Sequence, residues 1–304
     1  MAKDFVSLKE VNREIKKDQL KVIRDAESRY RGQLFELVNS ILERKGGVKL
    51  VLVAGPSCAG KTTSALLLKD ILTQKGRDVC HVEMDNFFKS WCDRKVLPDG
   101  SVDFDSIDVV NLDLIEKCFA RLLKNGVAMF PKHDFVSGIN YPNKIKYQIK
   151  KNTIIILEGI HVLNPILIER LGIKNYAKVY VDMFTGFRNE SLAIDGQNFR
   201  LVRRMVRDMS RRGVTPEKTL SMWGNICKAE SEYIAPFKED ADYLINSSHS
   251  YEMGLYKGAI LEGVRKGVLS FEKLPWLALF KEAEEVDISL IPKTTLMKEF
   301  INID

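Results

Sequence analysis

The chain has 304 residues, of which 45% are hydrophobic and 29% charged, as is typical of a globular protein that buries its own core. Its net charge of +6 is spread along the sequence, which argues against a nucleic-acid partner. The five scattered cysteines form no C-x-x-C pair, and no apolar run approaches the roughly 20 residues of a membrane helix. We therefore expect a reduced, cytoplasmic protein without a membrane partner.

Residues 1–46 carry charged and apolar residues at helical spacing. Leu34, Leu37, Ile41 and Leu42 form an apolar stripe, and Gly46 and Gly47 end it. This pattern predicts a helical N-terminal extension that packs on the main domain or on a second subunit. The possibility of a homo-oligomer therefore stays open.

From residue 48 onward the pattern changes to apolar strands that alternate with helices. Such strands indicate a parallel sheet covered on both faces, so we predict an α/β, doubly wound domain of the P-loop NTPase type over residues 47–270. Residues 271–304 form a short C-terminal appendage that packs on this domain and contains a helix over 276–285. The predicted strands are residues 48–54, 79–84, 153–157, 178–181 and 243–245.

Residues 55–63, GPSCAGKTT, fit the phosphate-loop pattern G-x-x-x-x-G-K-S/T between a predicted strand and a predicted helix. Gly55 and Gly60 let the backbone turn its N–H groups toward a phosphate. Lys61 bridges the β- and γ-phosphates, and Thr62 ligates Mg²⁺. We thus expect ATP and Mg²⁺ as cofactors; a glycine-rich turn with an incidental lysine is the alternative. The remaining expected nucleotide contacts in the loop are Ser57, Cys58, Ala59 and Thr63.

Two carboxylates follow predicted strands, where ligands bind in open α/β sheets. Asp85 follows the strand over 79–84, and Glu158 follows the strand over 153–157. One carboxylate takes the acceptor's proton in a kinase and another holds Mg²⁺. The alternative is that each is a helix cap or a turn residue.

Arginines recur at helical spacing over residues 200–212, and they share one face. This face is either a solvated basic surface or part of a lid helix that neutralises a triphosphate. Its members are Arg200, Arg203, Arg204, Arg207 and Arg211.

Several motifs in order over residues 48–250 resemble the phosphoribulokinase/uridine kinase family of P-loop kinases: GPSCAGKTT, EMDNFFK, VDFDSIDVVNLD, FPKHDFVSG, IIILEGIHVLN, KVYVD and FRLVRRMVRDMSRRG. The sequence is most similar to bacterial uridine-kinase-like proteins that often carry an N-terminal TGS domain, whose place residues 1–46 take here.

The resemblance implies a role for individual residues. Asp85 matches the family's catalytic base, Glu158 matches the glutamate expected near Mg²⁺, and Asp105 matches the ribose-binding aspartate. Which of Asp85 and Glu158 is the main Mg²⁺ partner stays open. The lid arginines of the family fall on Arg204, Arg207 and Arg212, with Arg204 also placed at the substrate and Arg212 at the nucleotide.

The positions that read a pyrimidine base differ from the family pattern. A tyrosine is replaced by His133, which we expect to contact substrate in its place, and a histidine is replaced by Gly138. An arginine and a glutamine are replaced by Val214 and Met222. Sites that pair polar groups owe much of their discrimination to those groups, so the apparatus for reading the base is not retained.

We therefore predict an ATP-dependent kinase that phosphorylates a hydroxyl of a small metabolite, with a nucleoside as the family default. In this prediction Asp85 activates the hydroxyl, while Lys61, Arg204 and Arg207 stabilise the developing charge. A sugar, polyol or vitamin-like alcohol is the alternative acceptor. A regulatory or RNA-associated ATP-binding module without kinase activity is the alternative from another class.

Overall fold

The structure is a computed structural model that describes residues 4–96 and 106–303. Its strands are β1 (Asp4–Ser7), β2 (Leu50–Ala54), β3 (Val79–Glu83), β4 (Val127–Asp134), β5 (Ile139–Gln148), β6 (Ile154–Glu158), β7 (Tyr176–Asp182), β8 (Thr185–Arg188), β9 (Ala193–Ile194) and β10 (Tyr243–Asn246). Its α-helices are α1 (Leu8–Lys17), α2 (Gln19–Glu43), α3 (Lys61–Gln74), α4 (Leu112–Asn125), α5 (Pro165–Leu171), α6 (Gly196–Arg207), α7 (Pro216–Tyr233), α8 (Glu252–Arg265) and α9 (Leu279–Glu282).

Five parallel strands form the central sheet, in the order β10-β7-β2-β6-β3. All five residues of β2 are buried, and they alternate between the two faces of the sheet. Val51 and Val53 join one apolar cluster, whereas Leu50, Leu52 and Ala54 join another on the opposite face. The predicted α/β architecture, with a parallel sheet covered on both faces, is confirmed.

The register of the sheet brings two predicted site residues to one edge. Glu83, the last residue of β3, pairs with Glu158, the last residue of β6. A short 3-10 helix, Met84–Phe87, begins directly after β3 and carries Asp85. Because parallel strands end at the same edge, Asp85 and Glu158 come close together.

The sequence predicts a helical N-terminal extension, but the N-terminal segment is not entirely helical. Residues 4–7 form β1, which pairs in parallel with β8 from Asp4↔Thr185 to Ser7↔Arg188. The strand has a helix directly after it, whose N-terminus Ser7 caps through its side chain. The longer helix α2 then packs against α3 and β10.

Two further elements differ from the sequence prediction. Strands β4 and β5 form an antiparallel hairpin that the apolar pattern of the sequence does not predict, because β5 is mostly exposed. The helix expected over 276–285 is a 3-10 turn, Pro275–Ala278, followed by the single turn of α9.

Across residues 4–96 and 106–303, no helix has the length and apolar character needed to span a membrane. The domain limits at residues 46 and 270 stay predictions.

The arginine face does not act as one functional surface. Arg200 and Arg203 are fully buried in α6, the lid helix, which continues into a single π-helical turn at Asp208–Arg212. Arg200 pairs with Asp182 at 3.0 Å and with Glu230 at 2.6 Å. Helical spacing could not reveal these partners, since they come from β7 and α7.

Arg203 makes a fully buried ion pair with Glu252. Its guanidinium donates to both carboxylate oxygens of Glu252, at 2.8 and 2.6 Å, and to the Ser247 carbonyl oxygen at 2.7 Å. Neither side chain of the pair is exposed to solvent. Removing one partner of such a pair is costly because the other charge stays buried and unpaired.

We predict that Arg203→Ala lowers the free energy of unfolding by about 3–5 kcal/mol, the usual cost of breaking a buried pair. Urea denaturation followed by circular dichroism measures this change. Arg265→Ala is the control because Arg265 makes an exposed ion pair with Glu262, and we expect it to change stability little. Equal stability of the two variants would contradict the structural role of Arg203.

Candidate active site

The phosphate loop connects β2 to α3, and two of its glycines have positive φ. At Gly55, φ is 150° and a Cβ atom would lie 2.0 Å from the Val181 carbonyl oxygen. At Gly60, φ is 91° and a Cβ atom would lie 2.4 Å from Leu296 Cδ1. Only glycine fits these two positions without strain, so the sequence motif has a steric basis here.

Lys61 and Thr62 open helix α3 and face the cleft above the loop. The Lys61 Nζ atom donates to the Pro56 carbonyl oxygen at 2.9 Å, within the loop itself. The Thr62 hydroxyl donates to Glu158 Oε1 at 2.9 Å. The first turn of α3 thus brings an ammonium group and a hydroxyl beside a carboxylate, as the chemistry of a magnesium nucleotide requires.

Both predicted carboxylates are in surroundings that favour their protonated form. Burial raises the pKa of Glu158 to about 7, against a lowering by Lys61 and a further rise from Asp85. Burial also raises the pKa of Asp85 to about 6, which Lys61 opposes. Asp85 Oδ1 is buried and has no hydrogen-bond partner. A buried, unpartnered carboxylate oxygen is well suited to accept a proton from a bound ligand.

The lid arginines surround a buried aspartate, Asp208. Its carboxylate lies 3.5 Å from Arg204, 3.2 Å from Arg207 and 3.6 Å from Arg212. Arg204 also donates to Ser57 Oγ at 3.0 Å, which connects the lid to the phosphate loop. Burial, and then the neighbouring Arg207, lower the pKa of Arg212. One carboxylate among three guanidinium groups leaves an excess of positive charge for an anion.

These groups line one cleft of about 560 Å³. The predicted site residues that line it are Ser57, Cys58, Lys61, Thr62, Asp85, Glu158, Arg204, Arg207 and Arg212. Gly55, Ala59, Gly60 and Thr63 shape the loop and the first helical turn below it.

One predicted substrate contact, His133, is not part of this cleft. His133 is buried in β4 between Phe88 and Phe135, with ring centroids 6.0 and 4.8 Å away. Its backbone N–H donates to Asn86 Oδ1 at 3.4 Å, so it lies beside the 3-10 helix that carries Asp85. Asp105 lies outside the described residues.

Comparison with known proteins adds to this geometry. Residues 50–253 match the model of the phosphoribulokinase/uridine kinase family. The chain belongs to this family. Family members and the relatives below are kinases, ATP-dependent phosphotransferases, and the chain is therefore an ATP-dependent phosphotransferase.

Curated relatives match over most of their own length. The chain is 28% identical over 206 residues to a uridine kinase of Mycoplasma genitalium, covering 67% of this chain and 87% of the relative. It is 28% identical over 210 residues to a uridine kinase of Borrelia duttonii, covering 69% and 91%. A solved kinase structure from Silicibacter sp. TM1040, named for a fructose transport system, has a TM-score of 0.50 at 18% identity over 69% of this chain and 98% of that one. That likeness concerns the fold alone.

Three acidic residues of this family member were missed as site residues. Asp208 stands within the arginine motif, so its position between guanidinium groups was a visible signal. Glu230 lines the cleft and pairs with Arg200, and Glu299 lines it from the C-terminal segment. Neither Glu230 nor Glu299 had a local signal, because each reaches the cleft from a distant part of the chain.

The cleft fits a magnesium ion that arrives with a nucleotide. Within the parts of the chain that the structure describes, no group of three His, Cys, Asp or Glu side chains is arranged to hold a metal. Mg²⁺ commonly takes one or two protein oxygens and completes its shell with phosphate and water. Glu158 and Thr62 supply such oxygens 2.9 Å apart, and Asp85 is the other carboxylate nearby.

We predict that Glu158→Gln raises the melting temperature of the ligand-free protein at pH 8. The folded-state pKa of about 7 lies above the usual 4.5, so the folded protein binds this proton more tightly than the unfolded chain does. Stability is therefore lost as pH rises from about 4.5 to about 7, and the ionised carboxylate remains unfavourable above that range. Glutamine keeps the acceptor for Thr62 and removes the charge.

Thermal unfolding at pH 8 and pH 4.5, without nucleotide or magnesium, measures the effect. The stabilisation should be largest at pH 8 and should shrink at pH 4.5. Glu169→Gln, at an exposed position in α5, provides the control. An equal shift at both pH values would mean that the charge of Glu158 is not the cause.

Proposed function

We propose that this chain transfers the γ-phosphate of ATP to a hydroxyl of a small metabolite that is not a pyrimidine nucleoside. The observation that carries the transfer is the buried, unpartnered Oδ1 of Asp85 at a cleft that also contains Lys61, Thr62 and Glu158. A module that only binds nucleotide has no need for such a carboxylate, whose burial raises its pKa toward neutrality.

The residues divide the chemistry among them. The acceptor oxygen bonds to the γ-phosphorus, the bond to the β,γ-bridging oxygen breaks, and Asp85 takes the hydroxyl proton. Lys61, Arg204 and Arg207 stabilise the negative charge of the transferring group. Thr62 and Glu158 would hold Mg²⁺, which neutralises phosphate charge when it is bound.

The acceptor side supports a substrate other than a pyrimidine nucleoside. At Gly138, φ is 68° and a Cβ atom would lie 2.2 Å from Trp91 Cδ2. The indole ring of Trp91 thus occupies the space that the side chain of the family's histidine would need at this position. His133 packs edge-on against Phe88 and Phe135. The surroundings of His133 and Gly138 thus differ in shape and in polar groups from a site that reads uracil or cytosine.

We predict that Asp85→Asn leaves ATP binding close to that of the wild type and lowers kcat by about 10²–10⁴-fold, the usual contribution of a positioned general base. Isothermal titration measures binding, and ADP release in the presence of acceptor measures turnover. Asp93→Asn, in a neighbouring 3-10 turn, is the control. Unchanged turnover in Asp85→Asn would favour the regulatory ATP-binding module.

We expect a screen of ADP release to identify a sugar, polyol or vitamin-like alcohol as the acceptor. The screen should include nucleosides and amino alcohols, with Lys61→Ala as the inactive reference because this variant loses the phosphate-bridging ammonium. Uridine or cytidine turned over with ordinary efficiency would contradict the acceptor proposal while leaving the kinase assignment intact.

A further inference from the structure

The C-terminal segment, residues 295–301, forms part of the cleft wall. It lies outside residues 50–253, the region that matches the family model. Its Glu299 side chain lines the cleft together with Lys61, Thr62 and the lid arginines. The roles proposed above do not use this carboxylate.

Glu299 contacts the residue next to the magnesium hydroxyl. The Thr63 hydroxyl donates to Glu299 Oε2 at 3.0 Å, whereas the neighbouring Thr62 hydroxyl donates to Glu158. Thr62 therefore faces a carboxylate from the central sheet, and Thr63 faces one from the C-terminal segment. Successive residues of a helix point about 100° apart, so Glu299 and Glu158 lie on different sides of the first turn of α3.

The segment is built into the protein rather than laid over it. Leu296, Met297 and Phe300 are fully buried, and Leu296 contacts Gly60 of the phosphate loop. Thr295 donates to the buried Glu27 of α2. The segment is thus part of the packed core beside the phosphate loop.

The lid also holds this segment. Arg211 donates to the carbonyl oxygens of Lys298 and Ile301, the latter at 2.8 Å, and Ser210 Oγ donates to the Phe300 carbonyl oxygen at 3.1 Å. The wall therefore stays in register with the end of the lid that follows Arg204 and Arg207.

The two sides of the helical turn correspond to the two ends of a bound nucleotide. Thr62, Glu158 and Asp85 mark the end where the γ-phosphate reacts. In the proposed function, a triphosphate with its γ-phosphate at that end would extend its nucleoside past Thr63, toward the C-terminal segment. A carboxylate there can accept hydrogen bonds from both hydroxyls of a ribose, as acidic residues do in other nucleotide sites.

We propose that Glu299 is a specificity-determining residue that accepts hydrogen bonds from the ribose hydroxyls of the nucleotide. This inference rests on the proposed kinase function and adds the selection of a ribonucleotide over a nucleotide without those hydroxyls. The contrasting role is a carboxylate that occupies the anion site at the start of α3 and competes with phosphate.

Titration with three magnesium-bound probes separates these roles: ATP, 2′,3′-dideoxy-ATP and inorganic tripolyphosphate. We expect wild-type protein to bind ATP about tenfold or more tightly than the dideoxy analogue, since a hydrogen bond to a charged group contributes on this scale. Glu299→Gln should weaken ATP binding by about tenfold and leave the affinities for the other two probes unchanged. Glu272→Gln, an exposed control outside the cleft, should change none of the three.

Two results would overturn the inference. Tighter binding of both ATP and tripolyphosphate to Glu299→Gln would identify Glu299 as a competitor of phosphate. If Glu299→Gln binds each of the three probes as tightly as the wild type does, the role of Glu299 is reduced to holding Thr63. The melting temperature of Glu299→Gln establishes that the variant is folded, and Thr63→Val gives an independent test of the contact itself.

Lys61→Ala distinguishes failure of this inference from failure of the proposed function. If the wild type binds tripolyphosphate and Lys61→Ala does not, the phosphate site stands, and an unchanged Glu299→Gln then removes only the ribose contact. If the wild type binds neither ATP nor tripolyphosphate, the proposed function and this inference fail together.

Discussion

The phosphate loop depends on two buried arginines of the lid helix. Arg200 donates to the Ser57 carbonyl oxygen at 3.1 Å, and Arg203 donates to the Cys58 carbonyl oxygen at 3.2 Å. Cys58 has a φ of 60°, a backbone conformation that residues other than glycine seldom adopt. By holding these carbonyl groups on the outer side of the loop, the arginines favour N–H groups that face inward. The charge of each arginine is balanced within the core by carboxylates, Asp182 and Glu230 for one and Glu252 for the other.

The same helix therefore carries arginines of two kinds. Arg200 and Arg203 are buried and shape the loop. In contrast, Arg204 and Arg207, with Arg212 of the π-helical turn that follows, surround Asp208 and line the cleft. Asp208 contacts the largely buried Arg204 and Arg207 and so sets their positions before a ligand binds, whereas the Arg212 side chain is 55% exposed. A site whose charges are already oriented loses less free energy to reorganisation when the transferring phosphate develops charge. The stability of the fold and the electrostatics of the cleft thus come from different faces of one helix.

Two segments outside residues 50–253, the region that matches the family model, pack against the phosphate loop and the start of α3. The Tyr30 hydroxyl of α2 lies 2.6 Å from Ser64 Oγ, which in turn donates to the Gly60 carbonyl oxygen at 2.7 Å. Leu296 packs on Gly60 from the C-terminal segment. The first turn of α3 is consequently enclosed by both ends of the described chain. In the cleft itself the burial of Asp85 and Glu158 works against stability, as their raised pKa values show, and a bound metal cation would offset that cost.

The sequence by itself determined the sheet, the phosphate loop and its lysine, and the two carboxylates at the strand ends, because these features depend on local pattern and on the rule that parallel strands end together. It also placed Arg204, Arg207 and Arg212 on a lid. It could not separate Arg200 and Arg203 from them, since burial depends on acidic partners 30 or more positions away in Glu230 and Glu252. Strand β1 has no apolar run of its own and exists only because β8 offers an edge. Glu299 enters the cleft only because the folded chain returns its C-terminal segment to the phosphate loop, a long-range contact on which no local pattern bears.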